Sequence, residues 1–91
     1  MTLEEMLDTY QGGNAVISIE TKAGGYLIEE ESYDYYLADI SGYEDDLKGN
    51  NPNHYKCTWI GQESWWNEAK DCDVIAWNVI SGIELTITID M

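Results

Sequence analysis

Apolar residues open the chain at helical spacing. Leu3, Met6, Leu7 and Tyr10 stand at i, i+3, i+4 and i+7, so they share one face. Thr2 and Glu5 frame the start as a capping box, and Gly12-Gly13 supplies a stop, predicting a helix from Thr2 to Tyr10. The period then shortens to two. Ile17 and Ile19 alternate with Val16, Ser18 and Glu20, which predicts a strand from Ala15 to Glu20. Ala23-Gly24-Gly25 reverses the chain into a second strand from Tyr26 to Glu30, giving a hairpin. Ser32 is placed to cap a second helix, in which Tyr33, Tyr36, Leu37 and Ile40 repeat the helical spacing while Asp34 and Asp39 project elsewhere. Ser41-Gly42 ends it.

Tyr43 to Asn53 has loop composition, closing on Gly49-Asn50-Asn51-Pro52-Asn53. Tyr55, Cys57 and Trp59 alternate with Lys56, Thr58 and Ile60, so Tyr55 to Ile60 reads as a strand. A short helix from Gln62 to Lys70 would present Trp65, Trp66 and Ala69. Two strands follow, Val74 to Ile80 and Ile83 to Asp90. A two-residue loop between them mixes polar and apolar residues on both faces. A three-residue loop, Ile80-Ser81-Gly82, pairs Val79 with Ile83, Trp77 with Leu85 and Ile75 with Ile87. That register makes one apolar face and puts glycine at a left-handed position. The expected fold is α+β: an antiparallel sheet of four to five strands with two or three short helices packed on one face. Residues 1–91 form a single acidic domain in this reading.

Composition changes this picture at one point. Hydrophobic residues make up 44% of the chain, enough for a core and too much for a disordered acidic tail. No run approaches the ~20 apolar residues of a membrane helix, and no basic, apolar leader opens the sequence, so a cytoplasmic protein and no membrane contact are expected. The outlying quantity is charge. Asp and Glu number 18 against 4 Lys and no Arg, a formal net charge of −14. Solubility asks for only ~2–8 charges in a small domain. Without clustered basic residues, direct binding to nucleic acid is not expected, and a basic protein is the natural partner.

Catalytic signals are thin. The lone histidine, His54, lies in the Asn-rich loop, and no nucleophile–base spacing or phosphate loop is present, so no enzyme activity and no cofactor are expected. Neither Asp71-x-Asp73 nor Glu44-Asp45-Asp46 has the pattern of a calcium-binding loop, and no metal site is assigned. Cys57 and Cys72 lack C-x-x-C spacing. Two reduced, buried thiols are the default reading, with a disulfide left open.

The sharpest feature runs from Glu29 to Asp46. It holds Glu29, Glu30, Glu31, Asp34, Asp39, Glu44, Asp45 and Asp46 with no base among them, and Tyr33, Tyr35, Tyr36 and Tyr43 interleave. Helical spacing turns Tyr33 and Tyr36 inward, and Tyr35 is left as a candidate contact. A solvated helix face accounts for the acids, but not for the missing lysines that would stabilise such a helix. Rows of carboxylates can instead occupy a channel built for phosphates. The acids and Tyr35 form the candidate partner-binding site, with Glu4, Asp8 and Glu84 as acids distant from it.

A chain of this size and acidity, without a catalytic motif, resembles the small DNA-mimic inhibitors of phages and mobile elements, among them anti-CRISPR and antirestriction proteins. Its opening, Met1 to Tyr10 followed by a strand, also looks like short proteins of Gram-positive mobile elements. The resemblance implies blockage of the DNA-binding surface of a defence nuclease, a CRISPR nuclease or a restriction enzyme. The alternative is an acidic protein-interaction or structural module whose charge serves solubility only.

Overall fold

The computed structural model describes residues 1–10, 14–38 and 58–91. Helix α1 spans Leu3–Thr9. The expected capping box forms: the Thr2 N–H donates to Glu5 Oε1 at 2.9 Å, and the Glu5 N–H donates to Thr2 Oγ1 at 3.2 Å. Leu3, Met6 and Leu7 are buried as their spacing requires. The helix ends at Thr9, and Gly12-Gly13 lies outside the described residues.

Strands β1 (Val16–Thr21) and β2 (Tyr26–Ser32) make the first hairpin. Its turn uses Gly24 at φ 98°, a conformation that only glycine adopts freely. Ser32 caps α2 (Tyr33–Leu37) by accepting the Tyr35 N–H at 3.3 Å, and Tyr33, Tyr36 and Leu37 pack against the core. Helix α2 stops at Leu37, before Ile40 and Ser41-Gly42, which fall outside the described residues along with the loop to Asn53.

The expected strand from Tyr55 to Ile60 is corrected over its described part. Thr58 Oγ1 accepts the Gly61 N–H at 3.1 Å, a local bond that competes with a strand ladder. Ile60–Gln62 then forms a 3₁₀ turn with Ile60 fully buried. Helix α3 (Trp66–Ala69) follows, burying Trp66 and Ala69 while Trp65 is half-buried. Strands β3 (Val74–Ile80) and β4 (Glu84–Ile89) close the fold.

The described sheet has four strands in the order β2-β1-β4-β3. It is mixed, not antiparallel: β1 and β4 run parallel, with Ile17 beside Leu85 and Ile19 beside Ile87. Both hairpins are antiparallel, but the connection through α2 and α3 returns the chain so that β4 enters alongside β1 in the same direction. Alternation marks which face a residue occupies and carries no mark of direction, hence the discrepancy.

The second hairpin has a three-residue loop, as expected, but displaced by one residue. Ile80 pairs with Glu84, Val79 with Leu85 and Trp77 with Ile87, so the loop is Ser81-Gly82-Ile83. Ser81 and Gly82 take φ values of 54° and 69°, and the Ile83 N–H closes the turn on Ile80 C=O at 3.0 Å. The pairing shifts by two, which preserves the faces. Leu85, Ile87 and Ile89 are buried accordingly. Trp77 and Ile75 are not. At 57% and 54% exposure they lie on an edge strand, Trp77 against the Tyr10 ring just past α1 and Ile75 at the register shift between Val74 and Ala76, which corrects their expected place in the core.

One core lies between the sheet and α1, the 3₁₀ turn and α3. The opposite face of the sheet carries Ser18, Glu20, Glu84, Thr86 and Thr88, and no described helix covers it.

Candidate functional site

Ser18 organises the uncovered face. Its neighbours Ile17 and Ile19 point into the core, so Ser18 points away from it, yet it is fully buried. Its Oγ donates to Glu84 Oε2 at 2.8 Å and accepts the Glu30 N–H at 2.8 Å. The second bond exists because β2 bulges here. Ile17 pairs with Glu31 and Ile19 with Ile28, so Glu29 and Glu30 together oppose Ser18. Glu30 takes φ 51°, and its amide reaches the serine hydroxyl instead of a strand carbonyl. Glu84 Oε2 also accepts from Thr86 Oγ1 at 3.0 Å, and Glu20 Oε1 accepts from Thr88 Oγ1 at 2.9 Å. Strand threonines thus hold two carboxylates in fixed directions without cancelling their charge.

Tyr26 registers the resulting field. Its hydroxyl is held above the usual phenol range by Glu20 foremost, then by burial, Glu29, Glu84 and Glu30. Carboxylates from three strands thus act electrostatically on one tyrosine. Glu20, Tyr26 and Glu84 border a shallow trough of about 310 Å³ over the uncovered face.

The sequence-derived site divides on this geometry. Glu29 and Glu30 face the Tyr26 side. Glu31, half-buried, lies with Glu63 near Tyr36, whose hydroxyl is raised by burial first and then by Glu63 and Glu31. Asp34 is exposed on α2. Tyr35 is also exposed, stacked over Trp59 at 6.1 Å with 20° between the rings, and edge-on to Tyr36 at 5.8 Å. Asp39, Glu44, Asp45 and Asp46 lie outside the described residues, as do His54 and Cys57.

Two acids escaped the sequence reading. Glu20 and Glu84 are far in sequence from the acidic run, and Glu84 stood among the distant acids. It is in fact joined to Glu30 through one serine. The available signal was the polar alternation Ser18, Glu20 and Glu84, Thr86, Thr88, which places all five on one sheet face once β1 and β4 are neighbours.

Both described lysines are engaged, Lys22 with Asp90 and Lys70 with Asp71. The Asp90 carboxylate raises the Lys22 ammonium above its usual range, chiefly through their hydrogen bond. Cys72 is a free thiol donating to the Glu68 carbonyl at 3.3 Å, and burial pushes it up, with Asp90, Asp71, Glu68 and Asp73 adding to the effect. Among the described residues no group of three or more His, Cys, Asp or Glu side chains is arranged to hold a metal ion, and no helix is long and apolar enough to cross a membrane.

Compared with models of protein families, with curated proteins and with solved structures, the chain matches none.

Proposed function

We propose that the protein is a non-enzymatic inhibitor that imitates nucleic-acid charge and blocks the DNA-binding surface of a host defence nuclease, such as a CRISPR effector or a restriction enzyme. The observation carrying this reading is the uncompensated charge: a formal −14, with both described lysines already bound to carboxylates. Duplex DNA presents one charge per ~1.7 Å of axis, and its binders meet it with Lys and Arg. A rigid strand scaffold bearing Glu20, Glu29, Glu30 and Glu84 offers such a binder fixed negative charge. Glu31, Asp34, Tyr35, Asp39, Glu44, Asp45 and Asp46 extend the surface. The protein binds no nucleic acid itself and needs no cofactor.

The test is order of addition. Protein added to the nuclease before target DNA should inhibit cleavage, whereas excess DNA added first should protect. Reversing Glu29, Glu30 and Glu84 to Lys should weaken inhibition and flatten its salt dependence, while reversing Glu4 and Asp8 should not. Equal losses from both sets would reduce the interaction to diffuse attraction and remove the site. A second reading, a protein-interaction module, is favoured by the uncharged exposed edge of β3. Under it reversing Glu29 and Glu30 leaves partner binding intact and no nuclease is inhibited.

A further inference from the structure

The two edges of the sheet are built in opposite ways. β2 is defended by Glu29, Glu30 and Glu31, by its bulge and by the left-handed Glu30, all of which discourage a further strand. β3, Val-Ile-Ala-Trp-Asn-Val-Ile, has no charge, no proline and no glycine over seven residues. Ile75, Trp77 and Ile80 on it are exposed, and Ile83 beside it is 55% exposed. Among the described residues, Met1 and Thr2 cover only its beginning: the Val74 N–H donates to Met1 C=O at 2.8 Å, and Thr2 bridges Asp73. β3 has its own register shift between Val74 and Ala76, and from Ala76 to Ile80 the regular edge extends ~17 Å at strand rise. The Val79 N–H bonds the Asn78 side chain at 3.0 Å, so it faces away from β4, and alternation turns the Trp77 N–H the same way.

We infer that β3 accepts an added strand from a cationic protein partner, an extended segment in which apolar residues alternate with Lys or Arg. The two sides of the edge dictate that alternation. On the helix side, Met1, Met6, Thr9, Tyr10 and Trp77 line an open cleft of about 190 Å³, with the Tyr10 and Trp77 rings 5.8 Å apart. It takes every second side chain of the added strand if these are apolar. On the other side the alternate side chains lie over the acidic trough. Glu84 is held toward β1 by Ser18, so a Lys or Arg on the added strand meets the trough's charge across Ala76, Asn78 and Ile80 and not in a contact ion pair. The net charge selects this occupant over a second copy of the chain, because pairing two bodies of −14 along one edge opposes like charges. Affinity comes from main-chain hydrogen bonds and selectivity from the side-chain alternation. The inference shares with the proposed function the cationic nature of the partner and the carboxylates Glu20 and Glu84.

The test uses the full chain and a blocked octapeptide alternating Val and Lys, followed by amide NMR. No nuclease or DNA is present, so its outcome and that of the cleavage assay are independent. The expected result is shifts centred on Trp77 and Val79, with slowed hydrogen exchange at both amides. Affinity should fall about tenfold or more when Lys is replaced by Glu, and likewise when every peptide nitrogen is methylated, which keeps the charges and removes the donors. Val79→Pro should abolish binding and leave the β1 and β4 signals in place, since proline is tolerated where an edge N–H faces outward. Should that variant fail to fold, the methylated peptide decides alone. Equal binding by the methylated peptide, or shifts centred on Glu29 to Glu31, would overturn the inference. So would sedimentation showing a dimer of the chain itself with Trp77 and Val79 protected.

Discussion

Ser18 sits where the alternation of β1 turns away from the core, and its burial is tolerable because its hydroxyl is used twice. Truncation to Ala leaves the Glu30 N–H without its acceptor and releases Glu84 from one of its two donors. Ser18→Ala should cost ~1–3 kcal/mol in urea unfolding, the usual penalty of an orphaned buried partner. Combined with Glu84→Ala, the loss should be less than additive, because the two residues share one bond. Ser81 presents the reverse case. A serine at φ 54° followed by glycine occupies a turn that favours Asn-Gly. Ser81→Asn should therefore stabilise by ~0.5–1 kcal/mol, read as a higher denaturant midpoint with unchanged slope. The serine bridge was not legible in the sequence. It depends on which residues oppose Ser18, and pairing across a bulge leaves no local signature. Gly82 was legible, because its left-handed position follows from the loop alone.

At the scale of elements, the helix caps were legible in the sequence. The capping box of α1 and the Ser32 cap of α2 use donors and acceptors three positions apart. Strand direction, the shift of the second hairpin and the turn after Thr58 depend on distant partners or on competing local bonds, and the pattern of apolar residues is silent on these. The consequence for packing is measurable. Leu85→Ala removes a fully buried side chain and should cost ~2–5 kcal/mol, whereas Trp77→Ala, on the exposed edge, should cost clearly less. An equal loss from both would return Trp77 to the core. For α1, the bond from the Thr2 backbone N–H, followed by that to the Thr2 side chain, holds the Glu5 carboxyl below its usual range. A lowered carboxylate contributes fully above its unfolded pKa and ceases to as pH falls through the folded one. The amides of α1 should lose protection on acidification through that window. In Glu5→Gln, which keeps an acceptor for Thr2 but cannot titrate, α1 should not.

For the whole molecule the governing quantity is the charge, and its range is set by salt. The long axis is 35 Å. At about 0.01 M ionic strength the Debye length is ~30 Å, so each carboxylate acts on nearly all the others, whereas at about 0.15 M it is ~8 Å and only neighbours interact. Raising NaCl across that interval should raise the melting temperature, by several degrees if screening relieves ~1 kcal/mol in a domain of this length. The gain should be largest at the low end of that interval, where carboxylates across the whole surface act on one another. Glu29→Gln should accordingly stabilise the fold at low salt and do so less at high salt. The same salt titration should move partner binding in the opposite direction, since the repulsion that strains the free protein is the attraction that a basic surface uses. A melting temperature that stays flat or falls between low and moderate NaCl would show the carboxylates to be locally compensated. In that case neither the strain nor the proposed mimicry could draw on −14 charges. Opposite salt responses of folding and binding, in one preparation, are the signature that ties the two together.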